Sequence, residues 1–211
     1  MKQILCFGDS NTYGLIPGTK ERYGWGTRWT SRLDVQVRPY QHRVIEEGLC
    51  GRTTVFDDKG RIGRKGTDIL PLLLESHRPI DRVILMLGTN DCKAAFQSSP
   101  EEIGAGIQKL ILQIRIENPK IKILLVSPIL LADGVGEDGF DPEFDENSVE
   151  VSRRLKNVYK KIAAHNGCDF LAASDYAKPS RKDREHLEAE GHFRLADAIF
   201  KKIERDLACS S

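Results

Sequence analysis

Two short segments at opposite ends of the chain carry the residue types that nucleophilic catalysis requires. Ser10 follows a short apolar run in CFGDSNTYG, and Asp183 precedes His186 by three residues in KDREH. A serine hydroxyl becomes a nucleophile when a histidine accepts its proton and a carboxylate orients that histidine. A spacing of three within a short turn lets the aspartate reach one ring nitrogen while the other faces the serine. The alternative is that Ser10 only caps the first helix.

Four further histidines compete with His186 for the role of general base. His77 and His165 fall near predicted helix C-termini, where a cation suits the helix dipole without any function. His42 is predicted to lie in a polar loop. His192 falls within the last predicted helix, which favours a packing or surface role. His186 is therefore the preferred candidate.

Five short apolar runs predict buried strands at residues 3–7, 44–46, 82–87, 122–127 and 169–172. Helical patterns predict helices at about 25–34 and 66–77, from Pro100 to Ile114, from Val151 to Ile162 and from Leu195 to Leu207. The runs RVILMLG and KILLVS are continuous rather than alternating, which is typical of parallel strands covered on both faces. The alternation of strands and helices predicts a flavodoxin-like three-layer α/β/α sandwich with a five-stranded parallel sheet.

Ligands bind beyond the carboxyl ends of the strands in such a sheet. The segments at this edge are 8–11, 47–54, 88–91, the long loop 128–146 and 182–192. Together they supply a serine, backbone N–H groups near a glycine, an asparagine amide, an aspartate and a histidine, which is the set required for acyl transfer. A loop as long as 128–146 is often functional, and we expect it to be a lid or a subunit contact.

Length, charge and cysteine usage limit the class of protein. The 211 residues predict a single domain, 1–211. A net charge of +1 gives no basic excess for nucleic acid, and no apolar segment approaches the roughly 20 residues of a membrane span. The cysteines are odd in number and form no CxxC pair, so we expect no metal site, no disulfide framework and a cytoplasmic location. They are Cys6, Cys50, Cys92, Cys168 and Cys209.

Four motifs in order resemble those of the SGNH or GDSL hydrolases. They are GDSN at 8–11, the glycine of CGRTT at Gly51, GTND at 88–91 and DREH at 183–186. Asn11 replaces the usual leucine of the first motif, and Arg184 replaces the usual glycine of the last. Cys50 stands where the family often has a serine and is not expected to be the nucleophile. Within the family, the motifs look closest to bacterial arylesterases with acyl-transfer side activity.

The resemblance implies a serine esterase that hydrolyses short-chain aryl or alkyl esters through an acyl-enzyme, without metal or cofactor. It assigns Ser10, Asp183 and His186 as the triad. It also implies an oxyanion hole formed by the N–H groups of Ser10 and Gly51 and the amide of Asn90. A carbohydrate O-deacetylase of the same family is an alternative, and a non-catalytic flavodoxin-like binding module is a weaker one. Asp9, Asn11 and Asp91 are expected to brace the loops of the site.

Candidate substrate-binding residues are those that could wall an acyl or aryl pocket, namely Tyr13, Trp25, Arg52, Phe96 and Phe140, with Trp29 and Phe144 as further aromatic candidates. Each aromatic residue has an alternative role in the core, and an exposed arginine has one as a solvated side chain. The expected partner is a small-molecule ester. A homo-oligomer is also compatible with the sequence.

Overall fold

The structure is a computed structural model that describes residues 1–208. Its five-stranded sheet has the order β2-β1-β3-β4-β5, and every adjacent pair is parallel. The strands are β1 (Lys2–Gly8), β2 (His42–Gly48), β3 (Arg82–Met86), β4 (Lys122–Ser127) and β5 (Asp169–Ala172). The predicted parallel sheet is thus confirmed. One detail is wrong, because His42 is not in a polar loop but pairs with Lys2 as the buried first residue of β2.

The α-helices lie on both faces of the sheet. They are α1 (Ser10–Tyr13), α2 (Trp29–Val37), α3 (Gly66–Ser76), α4 (Pro100–Glu117), α5 (Glu146–His165) and α6 (Ala189–Ala208). Alternate residues of β1 divide the core, since Ile4 and Cys6 pack with α2 and α6, whereas Leu5 and Phe7 pack with α3, α4 and α5. This arrangement confirms the three-layer α/β/α prediction.

Local sequence signals account for most helix boundaries. Ser99 and Glu102 form a capping box at the start of α4. The N-cap of α5 is Asp145, which bonds reciprocally with Ser148, so the long loop covers residues 128–145. The start of α2 was predicted too early, because Gly26 adopts a left-handed conformation that ends any helix there.

The strand order reverses direction between β1 and β3, which lie side by side in the sheet. In this class of fold, ligands bind in the crevice at such a switch point. Ser10 follows β1 and Asn90 follows β3, so both residues lie at this crevice. No helix within residues 1–208 is long and apolar enough to cross a membrane.

Candidate active site

Ser10 is the first residue of α1, and a single residue, Asp9, separates this helix from the end of β1. Asp9 is the N-cap, and its side chain accepts the N–H of Asn11 at 3.0 Å. Gly8 lets α1 and β3 approach the end of β1 closely, because a Cβ added there would lie 2.0 Å from Thr12 Oγ1 and 2.7 Å from the carbonyl oxygen of Met86. The N–H of a first helical residue has no acceptor inside its helix. Ser10 therefore presents both a hydroxyl and an N–H at the strand end.

The structure brings the three predicted triad residues together. The His186 Nε2 lies 2.8 Å from Ser10 Oγ, and the His186 Nδ1 lies 2.9 Å from Asp183 Oδ2. Asp183 Oδ1 accepts the backbone N–H groups of Glu185 and His186, and Oδ2 also accepts the N–H of Gly18 at 2.9 Å. The carboxylate is therefore held in place by groups that cannot themselves titrate.

The charges of the two partners stabilise each other. Burial pushes the pKa of Asp183 upward, but the hydrogen bond and charge of His186, with two backbone N–H groups, hold it below its ordinary value. Burial alone would lower the pKa of His186. Its hydrogen bonds to Asp183 and Glu185 outweigh this effect and raise the pKa to about 10.

Arg184 explains how the last motif works without its usual glycine. Its φ is +66°, a left-handed conformation that glycine adopts easily and arginine rarely does. The guanidinium donates to the carbonyl oxygen of Gly134 at 2.6 Å, pairs with Glu137 at 2.7 Å and lies 3.8 Å from the ring centre of Phe140. These contacts join the turn to the long loop. The turn keeps the glycine-like backbone, so Asp183 still reaches His186.

Asn11, which replaces the usual leucine, connects the two ends of the chain. Its Nδ2 donates to the carbonyl oxygen of Glu185 at 3.2 Å, and its Oδ1 accepts the N–H of Leu187 at 2.9 Å. These bonds hold the backbone on either side of His186 against α1. A leucine could make neither bond. This contact is the bracing role predicted for Asn11.

The predicted oxyanion residues lie on connected loops. Asn90 Nδ2 donates to the carbonyl oxygen of Arg52 at 3.1 Å, which leaves its second amide hydrogen for another acceptor. Gly51, the neighbour of Arg52, has a φ of +80°. The carboxylate of Asp91 accepts the N–H of Thr54 at 2.8 Å, so the loops after β2 and β3 are joined twice.

The structure does not place Arg52 as a substrate-binding residue. Its side chain is buried, lies over the Phe7 ring, and donates to the carbonyl oxygens of Gly8 and Glu47. This correction has a simple physical cause, because the ends of parallel strands leave carbonyl groups that need donors. The side chain that was predicted to bind substrate instead supports the loop that carries Gly51.

The aromatic candidates lie in different settings. Trp29 and Phe144 are core residues, at 0% and 3% exposure, so neither walls an open pocket. Trp25 is 61% exposed. Tyr13 is half-buried beneath Arg22, and Phe96 stacks on Phe56. Phe140 packs on Arg184, within the turn that carries Asp183 and His186, and is the aromatic candidate in direct contact with this turn.

The competing nucleophile and bases lie in other settings. Burial raises the pKa of the Cys50 thiol, which disfavours the reactive thiolate. His192 is buried, accepts the N–H of Trp29, and has its pKa lowered to about 3 by burial and nearby charges. His77 bonds to Glu47, and His42 bonds to the carbonyl oxygen of Tyr40. Cys209 lies outside the described residues.

Sequence reasoning missed Glu185, whose carboxylate lies in the site. Its Oε1 is 2.9 Å from His186 Nε2, the nitrogen that also faces Ser10. The residue is 8% exposed, and burial raises its pKa despite the opposing contact with His186. The available signal was a carboxylate directly before the candidate base, but the run KDRE resembles a solvated turn.

Other surface features are separate from these residues. A groove of about 590 Å³ is lined by residues of the long loop and of α5, and it does not include Ser10, Asp183 or His186. Within residues 1–208 no cluster of three or more His, Cys, Asp or Glu side chains is arranged to hold a metal ion. The four cysteines in this part of the chain are free thiols.

Comparison with known proteins gives both a family and several solved relatives. Residues 6–196 match the GDSL-like lipase/acylhydrolase family. Among curated protein sequences, none matches the chain.

Three solved structures illustrate the similarity. An inhibitor-bound aryl esterase of M. smegmatis has a TM-score of 0.91 and 33% identity, covering 97% of this chain and 99% of its own. The carbohydrate acetylesterase Est24 of Sinorhizobium meliloti has a TM-score of 0.88 and 36% identity, with the same coverage. A carbohydrate acetylesterase family member of Sinorhizobium meliloti has a TM-score of 0.90 and 31% identity, covering 98% and 99%. The chain belongs to the GDSL-like lipase/acylhydrolase family and is a carboxylic ester hydrolase.

Proposed function

We propose that this protein hydrolyses short-chain carboxylic esters through an acyl-enzyme formed on Ser10. His186 Nε2 accepts the hydroxyl proton as Ser10 Oγ attacks the ester carbonyl. The N–H groups of Ser10 and Gly51 and the amide of Asn90 bind the oxyanion. His186 then gives the proton to the departing alcohol or phenol. Water attacks the acyl-enzyme by the reverse route and releases the acid.

The observation that carries this proposal is the continuous chain of contacts from Ser10 through His186 to Asp183, at 2.8 and 2.9 Å. The nitrogen that faces the serine is the one not used by the aspartate, as proton transfer requires. The family match extends over residues 6–196 and therefore includes all four motifs.

Two features support a preference for esters with short acyl chains. Ser10 and His186 are 5% and 6% exposed, so little space surrounds the nucleophile. Arg184 also holds the long loop against the turn that carries Asp183 and His186, and we expect this loop to cover the site. Acetyl and butyryl aryl esters should therefore be hydrolysed faster than esters of about twelve carbons.

A carbohydrate O-deacetylase is the second candidate. It is supported by the carbohydrate acetylesterase from Sinorhizobium meliloti, which is 36% identical over nearly the whole chain. The same triad would serve, and only the leaving group would differ. Comparing kcat/KM for phenyl acetate, phenyl butyrate, a phenyl ester of twelve carbons and an acetylated monosaccharide separates the two candidates. A preference for the twelve-carbon ester would contradict the short-chain proposal.

The test of the nucleophile is chemical modification read by intact mass. An activated organophosphate ester should add one phosphoryl group to the unmodified protein and none to Ser10→Ala. Ser10→Ala should also lower turnover of phenyl acetate by about 10⁴-fold or more, because the covalent step is lost. Cys50→Ser is the matched control and should keep both labelling and turnover. Labelling that persists in Ser10→Ala and disappears in Cys50→Ser would reverse the assignment.

We propose a single catalytic domain, a cytoplasmic location and a capacity for acyl transfer to alcohols other than water. A homo-oligomer with the long loop at its interface also stays a prediction. Light scattering of the purified protein and product analysis in water–alcohol mixtures test the last two.

A further inference from the structure

Two acceptors share the same nitrogen of His186. Ser10 Oγ lies 2.8 Å from Nε2, and Glu185 Oε1 lies 2.9 Å from it. The second oxygen of Glu185, Oε2, is buried without a hydrogen-bond partner among residues 1–208. A carboxylate that is buried in this way is fixed by its contact with the imidazole, because nothing else in the described structure binds it.

The position of this carboxylate conflicts with the proposed reaction. After Ser10 attacks, the proton on Nε2 must pass to the oxygen of the leaving group, which approaches Nε2 from outside the serine contact. In deacylation the oxygen of the attacking water must take the same place. Glu185 Oε1 already lies 2.9 Å from Nε2, so it occupies a position that the leaving group and the water both need.

We propose that Glu185 is a positioning residue that competes with Ser10 and with the leaving group for Nε2 of His186 and must leave this nitrogen during each turnover. The inference rests on the proposed function, because it concerns the same base. In the resting enzyme the imidazole is held as a cation between two carboxylates and is a poor base. Protonation of Glu185, or rotation of its side chain away from the ring, frees Nε2.

The charges around this turn also favour the protonated form of His186. The titratable groups near this turn come from the end of β1, from the long loop, from the turn itself and from α6, and are Asp9, Asp141, Asp183 and His192. Three of them are carboxylates, which favour a protonated His186. His192 does not oppose them at neutral pH, because its own pKa of about 3 leaves it uncharged. Glu185 is the member of this group that contacts Nε2 itself.

The test compares Glu185→Leu and Glu185→Gln with the unmodified enzyme. Removing a carboxylate in contact with an imidazolium lowers the pKa of that histidine by about one to three units. The acid limb of the pH profile of kcat/KM for phenyl acetate should move to lower pH by about that amount. Turnover at pH 7 should rise about tenfold or more in Glu185→Leu. Glu185→Gln keeps the size of the side chain and should move the limb in the same direction.

A second measurement needs no substrate. NMR titration of protein labelled at histidine, with His186→Gln to assign the signal, gives the midpoint for His186 directly. This midpoint should fall in both variants and stay unchanged in Glu190→Leu, which removes an exposed glutamate that pairs with Arg194. An unchanged midpoint and acid limb in both Glu185 variants, or lost activity at every pH, would overturn the inference. If the unmodified enzyme hydrolyses no ester, the proposed function fails, but the NMR midpoint still reports on Glu185.

Discussion

At the scale of single residues, the contact between Asp183 and His186 has the clearest consequence. Asp183→Asn should lower kcat by about 10⁴-fold, because an amide donor facing Nδ1 favours the tautomer that cannot accept the serine proton. KM should change little, since the lost interaction acts in the transition state. His186→Ala should lower kcat at least as much, and the double variant little further. Steady-state kinetics on one aryl acetate gives all three values.

The control for this series is Asp175→Asn, which removes the charge of an exposed aspartate that pairs with Lys156. It should leave kcat unchanged. If Asp183→Asn stayed within a few-fold of the unmodified enzyme while His186→Ala was inactive, the enzyme would function with a Ser–His dyad. The Asp183 carboxylate would then have only a structural role in the turn.

Some contacts of single residues could be predicted from the sequence and others could not. The spacing of Asp183 and His186 predicted a contact, because a three-residue turn leaves few ways for the two side chains to avoid each other. Whether Glu185 pointed to solvent or to the ring depended on the packing of α1 and the long loop, which no local pattern encodes. Arg52 was misjudged for the same reason, since its partners are carbonyl groups of β1 and β2.

At the scale of elements, the turn that carries Arg184 joins the catalytic segment to the long loop. Arg184→Gly removes the guanidinium contacts but suits a φ of +66°. Arg184→Ala removes the same contacts and keeps the unfavourable backbone conformation. Arg184→Ala should therefore be less stable than Arg184→Gly by about 1 kcal/mol, as measured by urea unfolding.

Both Arg184 variants should also loosen the long loop. Hydrogen exchange of residues 128–145 should become faster than in the unmodified protein, while exchange in β1 and β3 stays the same. Turnover of phenyl acetate by Arg184→Gly should remain within a few-fold, because Asp183 is oriented by backbone N–H groups that the substitution leaves in place. Equal stability of the two variants would show that the left-handed backbone carries no strain.

Element boundaries were predictable where a local signal exists. The continuous apolar run of β4 predicted its bounds, and Pro100 with its two glutamates predicted the start of α4. The start of α2 was missed, because the left-handed Gly26 interrupts a stretch whose composition otherwise suits a helix. The extent of β2 was underestimated, since pairing with β1 extends that strand to His42 at one end and Gly48 at the other.

At the scale of the whole molecule, His186 links stability to pH. Its pKa is about 10 in the folded protein, above the value of about 6.5 in an unfolded chain. The folded state thus keeps a proton that the unfolded state releases, and this contribution is full below about pH 6.5 and lost as pH rises towards about 10. The free energy of unfolding should fall between pH 7 and about pH 8, by at most about 1.4 kcal/mol per pH unit from this group.

Urea unfolding of His186→Gln at the same pH values is the matched measurement and should give a flatter dependence. Asp91 also makes the free energy of unfolding fall as pH rises towards 7, because burial raises its pKa to about 7. Its contribution stays in the variant as one part of the remaining slope. Identical slopes for the two proteins would mean that His186 is not protonated in the folded state at pH 7.

The turn from Asp183 to His186 determines how substitutions far from the site affect the contacts of His186. The carboxylate accepts the N–H of His186 itself, so the relative orientation of aspartate and imidazole is fixed within four consecutive residues. The contact between His186 and Ser10 instead spans 176 residues of sequence and depends on the packing between the two ends of the chain. A shift of this turn would move His186 and Asp183 together, because the hydrogen bonds between them lie within the turn. Natural variation far from the site should therefore change activity through the distance between Ser10 Oγ and His186 Nε2.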